Sequence, residues 1–383
     1  MIDEVTRSVS RSENSVSVST VLHVIPSAVA RGAQREARAL ADHLDQPGRR
    51  SHRVLTLFAG PDEVAVDTAL DHPGGATPGV GLDARLVFRL RSLLNRVDPV
   101  AVIAHGSEPL KYLAPAIVGH RRRLVYYAIG TYSGSPRRAQ ERFWKFLLGR
   151  PDLIIAEGEE VRSECIARFG VPEHEIVYIP NGRDPTTFRP PDAVRRSTPP
   201  QVLFVGAFTA GKRPEQFITA VQCLRTRGVS FTARMAGTGP LHRELVEPAM
   251  AAGIELLGSR SDVPELLRQA DVLAFTSLSP GEGMPGVLVE AGLSSLPVVT
   301  TDVPGVRSIV DHGVTGFVVD QHDLDGMVAS LGSLLDDPEL RTSMGQAARH
   351  SCLSKFRMDS VAHQWATALR PLIEGPQPAH RLR

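Results

Sequence analysis

Two glutamates separated by seven residues are the side chains of this sequence best suited to binding and catalysis. Glu282 and Glu290 enclose a segment that is rich in glycine. Gly281, Gly283 and Gly286 lack a Cβ atom, so the backbone there can adopt positive φ angles and bring its N–H groups close to a ligand. Each carboxylate can accept two hydrogen bonds from a vicinal diol, which ribose and hexoses both offer.

A helix is predicted to begin inside this segment. Pro285 suits the first turn of a helix, and the apolar residues Val287–Leu293 continue it. The unpaired N–H groups and partial positive charge at a helix N-terminus attract phosphate. Glu290 lies about two turns beyond Glu282, so the two carboxylates can contact different parts of one elongated ligand. These properties predict a nucleotide sugar as the ligand.

Strands on either side must position this loop. Val272–Phe275 has the pattern of a buried strand before the loop, and Pro297–Thr300 that of a strand after the helix. The same alternation of strand and helix begins at Val21 and continues to Val319. It predicts the α/β class, with parallel sheets covered by helices on both faces. Residues 59–81, which are rich in Gly, Pro and Asp, are interpreted as a loose loop.

Composition narrows the function further. A chain of 383 residues suggests two domains, and 42% hydrophobic with 22% charged residues is ordinary for a soluble globular enzyme. The net charge of +1 gives no general attraction to nucleic acid. The three cysteines lie far apart, which predicts neither disulfides nor a metal site. No heptad or interface pattern indicates the oligomeric state.

We expect a cytoplasmic protein. Its N-terminus is Ser-rich and mixed in charge, unlike a secretory signal, and no apolar run reaches the roughly 18–20 residues that span a bilayer. The first half of the chain is mildly basic, so its groups Arg121–Arg123 and Arg137–Arg138 could contact the surface of an anionic membrane. Such groups are more often simply solvated.

Residues 282–291, E-G-M-P-G-V-L-V-E-A, resemble the donor-site motif of family-4 retaining glycosyltransferases. That family has the GT-B fold, in which two Rossmann-like domains face each other across a cleft. The resemblance extends from Val21 to about Ile373. It implies an enzyme that moves a hexose from a UDP- or GDP-linked donor to a hydroxyl acceptor. A glycolipid, a polysaccharide precursor and a small metabolite are all candidate acceptors.

The domain boundaries follow from this resemblance and from the Pro-rich, aperiodic stretch Arg189–Pro200. In the GT-B fold the last helix crosses back to the first domain. We predict a disordered leader over residues 1–19, an acceptor domain over 20–188, a linker over 189–200, a donor domain over 201–356, a crossing helix over 357–373 and a disordered tail over 374–383.

Within the motif, the resemblance implies a role for each residue. Glu290 would hold the ribose, and Glu282 would hold the sugar hydroxyls as a catalytic residue. The start of the helix would stabilise the departing diphosphate. It comprises Gly283, Met284, Pro285 and Gly286.

Residues 204–214, F-V-G-A-F-T-A-G-K-R-P, resemble a second family motif, V-G-R-L-x-x-x-K-G. In the family, its arginine and lysine neutralise the diphosphate of the leaving nucleotide. Lys212 matches the lysine and is predicted to be catalytic, with Gly206 in the same donor-binding turn. Ala207 stands at the arginine position. Either Arg213 or another basic residue supplies that charge, or the leaving group is stabilised less, or activity is lost.

Four further residues complete the predicted site. His105 follows the strand Val100–Ala104, where a histidine faces the cleft and can donate a hydrogen bond to a sugar hydroxyl or phosphate. The alternative is a structural histidine that caps the strand. Gly32, Gly237 and Arg260 match donor-binding positions of the family, in S-A-V-A-R-G-A-Q, M-A-G-T-G-P-L and G-S-R-S-D-V-P.

Two other motifs are interpreted as structural. Residues 179–184, I-P-N-G-R-D, resemble the family's I-P-N-G-V-D and suit a turn at the hinge. Asp323-Leu324-Asp325 has the D-x-D spelling of a metal site, but it precedes a periodic helix, so an N-cap explains it better. We therefore predict no essential metal and no cofactor beyond the nucleotide-sugar co-substrate.

Rival functions stay open on the sequence. The missing arginine at Ala207 suits a catalytically silent subunit that binds a nucleotide sugar beside an active partner. A sugar-nucleotide epimerase of the same fold would need no acceptor. A dinucleotide dehydrogenase fits least, because no strand is followed by a full G-x-G-x-x-G with an acidic residue about 20 positions on.

Overall fold

A seven-stranded parallel sheet forms the first half of the molecule. The computed structural model describes residues 18–29, 32–73, 81–132, 138–192, 199–278 and 282–375, and all statements here concern those residues. The strands are β1 Ser19–Ile25, β2 Arg50–Phe58, β3 Thr68–His72, β4 Ala101–His105, β5 Arg123–Ala128, β6 Leu153–Ala156 and β7 Ile176–Tyr178. The helices are α1 Gly32–Leu44, α2 Ala84–Val97, α3 Ser107–Ala116, α4 Arg138–Leu148 and α5 Glu159–Phe169.

The strand order in this sheet is β3-β2-β1-β4-β5-β6-β7. The order reverses between β1 and β4, and their carboxyl ends flank the crevice where such sheets bind ligands. Apolar side chains on the two faces of the sheet form separate clusters, one beneath α2, α3 and α5 and one that includes residues of α1. The central strands β1, β4, β5 and β6 are buried on both faces, which explains their nearly continuous apolar runs.

A six-stranded parallel sheet forms the second half, in the order β10-β9-β8-β11-β12-β13. Its order reverses between β8 and β11, and Glu282 follows β11 in the chain. The strands are β8 Gln201–Val205, β9 Thr232–Ala236, β10 Ile254–Gly258, β11 Val272–Phe275, β12 Val298–Thr301 and β13 Gly316–Val319. The helices are α6 Pro214–Thr226, α7 His242–Ala251, α8 Val263–Gln269, α9 Gly286–Leu293, α10 Val306–Ile309, α11 Leu324–Asp336, α12 Pro338–Lys355 and α13 Met358–Glu374.

The interpretation of residues 59–81 as a loose loop is wrong for part of that range. Thr68–His72 forms β3, which pairs in parallel with β2 at the edge of the sheet. Leu70 and His72 are buried while their neighbours Ala69 and Asp71 are exposed, so one face of this short strand packs inward. The other predicted strands are present. Residues 1–17, 193–198 and 376–383, where a leader, most of a linker and a tail are predicted, lie outside the described residues.

The last helix of the chain packs on the first sheet. Val361, Trp365 and Leu369 of α13 share an apolar cluster with Val21 and Tyr127. At the crossing, the backbone N–H of Arg183 donates to the carbonyl of Phe356 at 2.8 Å, and Met358 N–H donates to the carbonyl of Arg183 at 3.0 Å. The two connections between the halves therefore lie side by side. In the described part of the chain, no helix has the length and apolar character needed to cross a bilayer.

Candidate active site

A cleft of about 610 Å³ lies between the carboxyl ends of the two sheets. From the first half it is lined by α1 and by the loops after β5, β6 and β7. From the second half it is lined by the loops after β8 and β11 and by α9. The predicted site residues that line this cleft are Gly32, Gly206, Lys212, Glu282, Gly283, Met284, Pro285, Gly286 and Glu290.

Two predicted donor-binding arginines are not brought to the cleft. The Arg213 side chain donates from Nη1 to the carbonyl of Gln321 at 2.5 Å, and its positive φ of 45° marks a turn of the backbone just before α6. Arg260 is bound by Asp262 at the protein surface, with an Nη2 to Oδ2 distance of 2.5 Å. Their positions therefore do not support the predicted roles of these two arginines in donor binding.

Gly237 lies behind the cleft rather than in its lining. A Cβ atom at Gly237 would collide with the carbonyl oxygen of Gly206, and the glycine has a φ of 151°. Its backbone N–H donates to the carbonyl of Gly258 at 2.8 Å. Glycine at this position thus allows the turn that carries Gly206 to pack closely against β9.

Lys212 and Glu282 form an ion pair, although the sequence predicts separate tasks for them. The Lys212 ammonium also lies 5.0 Å from the centroid of the Phe275 ring, which favours a cation at that place. The Thr276 hydroxyl oxygen lies 2.9 Å from the carbonyl oxygens of both Lys212 and Arg213, which share its one proton, and it so fixes the loop. The two residues that stand at the switch point of the second sheet therefore meet directly.

Glu157 ties the Glu282 loop to the first half of the molecule. Its Oε1 accepts hydrogen bonds from the backbone N–H of Gly130 at 2.6 Å and from that of Met284 at 3.2 Å. Asn181 donates from Nδ2 to Glu157 Oε2 and to the carbonyl of Met284, both at 3.2 Å. A Cβ atom at Gly283 would collide with Glu157, so the loop can approach only because glycine stands there.

Burial raises the pKa of Glu157 to about 8, and repulsion from Glu36 adds to that effect, while its three hydrogen bonds oppose it. Glu157 is not among the residues predicted from the sequence. A usable signal is present, because Glu157 directly follows β6 and His105 is the last residue of β4. Both are polar residues at the carboxyl end of a central strand, and each is followed by glycine.

Arg183 connects the two halves inside the cleft. Its Nε donates to Glu290 Oε1 at 2.8 Å, and its Nη1 lies 3.5 Å from Glu36 Oε2 on α1. Burial by itself would lower the pKa of Arg183, but Glu290 and Glu36 together hold it above its ordinary value. From the sequence, residues 179–184 are interpreted as a structural turn at the hinge. The signal for a further role is Arg183 itself, which stands where the resembled motif has valine.

His105 lies beside the cleft, in a second cavity of about 200 Å³. That cavity shares Ala33 and Ile129 with the cleft, so the two are neighbours. The His105 ring is buried and lies parallel to the ring of Trp365, with centroids 6.4 Å apart. Its Nδ1 has no hydrogen-bond partner among the described residues.

A chain of three imidazoles runs across neighbouring strands from His105. His105 Nε2 lies 2.9 Å from His23 Nδ1, and His23 Nε2 lies 2.9 Å from His52 Nδ1. Burial lowers the pKa of His105 to about 3 and that of His52 to about 4, and it also lowers the pKa of His23. All three rings are therefore neutral near pH 7. Each contact needs one proton, so the tautomer of His105 depends on those of the other two rings.

The remaining candidate residues for metal or membrane binding make contacts within the fold. Asp323 accepts a hydrogen bond from Gly326 N–H at 2.8 Å and caps α11, as the N-cap interpretation predicts. Arg122 and Arg123 are paired with Asp98 and Asp152 within the fold. They lie at the amino end of β5, whereas the cleft lies at the carboxyl ends of the strands. Arg137 and the side chain of Arg138 lie outside the described residues.

Comparison with solved structures agrees with this geometry. The protein HepE of Anabaena, in complex with UDP, superposes with a TM-score of 0.76 at 20% identity, over 92% of this chain and 99% of that chain. Sucrose-phosphate synthase of Thermosynechococcus elongatus superposes with a TM-score of 0.80 at 15% identity, over 94% and 100%. Both similarities show that the fold is GT-B.

Curated relatives are similar at the level of sequence. The chain is 26% identical to the GDP-mannose-dependent alpha-(1-6)-phosphatidylinositol monomannoside mannosyltransferase of Mycobacterium tuberculosis, over 76% of this chain and 80% of the relative. It is also 26% identical to the N-acetyl-alpha-D-glucosaminyl L-malate synthase of Bacillus anthracis, over 74% and 78%.

Two family models match adjoining parts of the chain. The model for Glycosyltransferase Family 4 matches residues 30–187, and the model for glycosyl transferases group 1 matches residues 187–351. Together they cover every strand of the two sheets except β1, and every residue that lines the cleft except Met358. With its two facing Rossmann-like halves and the Lys212–Glu282 pair between them, this chain belongs to the family-4 glycosyltransferases of the GT-B fold.

Proposed function

We propose that the protein is a retaining glycosyltransferase that moves a hexose from a UDP- or GDP-linked donor to a hydroxyl group of an acceptor. The observation that carries the proposal is the meeting of Lys212, Glu282 and the start of α9 in one cleft between the two sheets. A helix N-terminus and a lysine suit a diphosphate, and carboxylates beside them suit sugar hydroxyls.

The donor diphosphate would lie at the N-terminus of α9. No side chain among the described residues caps that helix end, so its first N–H groups can donate to phosphate oxygens. The Lys212 ammonium would exchange Glu282 for a phosphate oxygen. Glu282 would then be free to accept hydrogen bonds from the hexose, and the second oxygen of Glu290 would accept from the ribose.

In the transfer step, the bond from C1 of the sugar to the diphosphate oxygen breaks, and the diphosphate leaves with the electron pair. The acceptor oxygen forms the new bond to C1 on the same face, and its proton passes to the departing phosphate oxygen. Lys212 and the helix N-terminus would lower the barrier by stabilising the negative charge that grows on the leaving group.

Relatives support the donor class but not one donor. The relative from Mycobacterium tuberculosis is named for GDP-mannose, whereas HepE of Anabaena was solved with UDP. The names of the two sequence relatives give acceptors as different as phosphatidylinositol monomannoside and malate. The proposal therefore includes both bases and leaves the acceptor open, with a glycolipid, a polysaccharide precursor or a small metabolite as candidates.

Product analysis tests this proposal. The purified protein is incubated with UDP- and GDP-linked hexoses of α configuration and a panel of hydroxyl acceptors, and the anomeric configuration of each product is read by NMR. We expect release of UDP or GDP together with an α-linked product. A β-linked product would contradict the retaining mechanism. The return of intact donor under all conditions would contradict glycosyltransferase activity.

A catalytically silent subunit is the second candidate, favoured by Ala207, which is exposed beside Gly206 at the place of the family arginine. It predicts that the pure protein binds a nucleotide sugar but neither transfers nor hydrolyses it. Restoration of transfer by an added partner protein would support this alternative. Transfer by the pure protein would eliminate it.

A further inference from the structure

Arg183 is fixed at the point where the two connections between the halves cross. Its backbone N–H donates to the carbonyl of Phe356, just before α13, and its carbonyl accepts from the N–H of Met358, the first residue of α13. Its side chain is 9% exposed and lines the cleft. An arginine that is held at both backbone groups and buried on the cleft side is positioned for a ligand, not for solvent.

The guanidinium group faces the N-termini of two helices. A Cβ atom at Gly286, the first residue of α9, would collide with Arg183 Nη2, and one at Gly32, the first residue of α1, would lie 4.0 Å from it. Each helix N-terminus carries a partial positive charge, so a cation beside it is unfavourable unless an anion is also present. Glu290 and Glu36 lie on the Nε and Nη1 side of the guanidinium, whereas Nη2 lies on the side of the two helix N-termini, where a further anion would be favoured.

One nitrogen of the guanidinium is left for that anion. Nε is engaged by Glu290, and Nη1 by the carbonyl of Gly182 at 2.8 Å and by Glu36. Nη2 makes no hydrogen bond to any described residue, although the side chain is more than nine-tenths buried. Its two N–H groups can therefore donate to the oxygens of a phosphate.

Few other cations on the cleft lining are available to a diphosphate. Among the described residues they are Lys212, which would exchange Glu282 for one phosphate oxygen, and Arg35, which is exposed on α1. Ala207 contributes no charge. We propose that Arg183 supplies the second cation of the diphosphate site. This inference rests on the proposed function, because it concerns the same donor.

A purely structural role is the competing explanation, in which Arg183 only ties Glu290 and Glu36 together. The two roles differ in which part of the nucleotide they affect. Loss of a phosphate contact weakens binding of the diphosphate and leaves the nucleoside unaffected. Loss of Glu290 positioning weakens binding of the nucleoside and the diphosphate alike.

The test compares dissociation constants of UDP and GDP with those of uridine and guanosine, measured by competition. The variants are Arg183→Val, which places the residue of the resembled motif, Arg183→Lys, and the double variant Arg183→Val with Ala207→Arg. Arg213→Ala is the matched control, since Arg213 lies one residue from Lys212 but off the cleft lining. Thermal unfolding of each variant verifies its fold.

In Arg183→Val we expect diphosphate binding to weaken roughly 10- to 100-fold while nucleoside binding changes little, because hydrogen bonds to charged groups are lost. Arg183→Lys and the added Ala207→Arg should each restore part of the loss, and Arg213→Ala should match the wild type. Equal losses of affinity for the nucleoside and for the diphosphate would overturn the phosphate contact of Arg183 but not the proposed function. Wild-type protein that binds neither UDP nor GDP would overturn the proposed function as well.

Discussion

At the scale of single residues, Glu157 is the side chain on which the two halves of the cleft converge. Its carboxylate is bound by backbone N–H groups from both halves, and its burial raises its pKa to about 8 from an ordinary value of 4.5. Protonated Glu157 therefore contributes stability that is fully present below about pH 4.5 and is lost as the pH rises through 8.

Replacing Glu157 with glutamine should remove this pH dependence. Each unit of pKa difference is worth about 1.4 kcal/mol, so the variant should gain stability relative to the wild type between pH 5 and pH 8.5. Thermal unfolding at both pH values measures the change. The control is Glu160→Gln, three residues away on the exposed side of α5, which should follow the wild-type curve. Parallel curves for Glu157→Gln would show that Glu157 does not titrate in this range.

Glu282 offers a second test at this scale. If it holds the hexose, Glu282→Ala should reduce affinity for a nucleotide sugar about tenfold or more, since buried hydrogen bonds to a charged group are lost. Affinity for the bare nucleoside diphosphate should not fall, because Lys212 loses the carboxylate that competes with phosphate. Calorimetric titration with UDP, UDP-hexose and their GDP counterparts separates the two. A parallel loss for both ligands would reject a sugar-specific role.

The sequence allows some of these residues to be predicted and not others. Local sequence motifs with glycines and the start of a helix contain Glu282, Glu290 and Lys212. Their neighbours in the sequence therefore indicate a role in ligand binding. Glu157 and Arg183 acquire their partners only when the halves meet, at Met284 and Glu290 respectively. Those partners lie more than a hundred positions away in the chain, and no local pattern contains that information.

At the scale of elements, α13 follows the second half in the chain but contributes side chains to the apolar core of the first half. Trp365 is fully buried, and its ring meets that of Tyr127 edge to face with centroids 5.1 Å apart. The parallel contact with His105 places the same ring against the end of β4. Through Trp365, α13 therefore also packs against His105, which lines the smaller cavity beside the cleft.

Shortening Trp365 to alanine should cost about 3–5 kcal/mol of stability, because a large aromatic side chain leaves a cavity that its neighbours cannot fill. The loss is measured by urea unfolding, with tyrosine and tryptophan fluorescence as the signal for the first half. Gln364→Ala is the control, since Gln364 is exposed on the same helix. A loss as small as that of the control would mean that α13 is not needed for the core of the first half.

Element boundaries were predictable where the apolar runs are long, as in β1 and β11. The short strand β3 was not, because T-A-L-D-H contains one strong apolar residue and lies among glycine, proline and aspartate. Its strand conformation comes from pairing with β2 at the sheet edge, at the register Leu55 to Thr68. The strand conformation of β3 therefore depends on its tertiary pairing with β2, because the local sequence alone favours a loop.

At the scale of the whole molecule, the two sheets present their switch points to one another, and the cleft lies where they meet. Alternating strands and helices predict each half separately. The facing arrangement itself was expected from the family resemblance, and the similarity to solved GT-B structures agrees with it. Lys212 and the start of α9 come from the second half, while Glu157 and Arg183 come from the first, so a complete site requires both.

Thermal stabilisation of the wild-type protein decides best whether the claim holds that this cleft binds a nucleotide-sugar donor. The ligands are UDP, GDP and ADP with their glucose, galactose, mannose and N-acetylglucosamine forms, each with and without Mg²⁺. A ligand at 100 times its dissociation constant adds about 2.7 kcal/mol to the stability of the folded state, which shifts the unfolding temperature measurably. We expect one base to stabilise the protein with and without the metal. No shift with any ligand at millimolar concentration would contradict the claim.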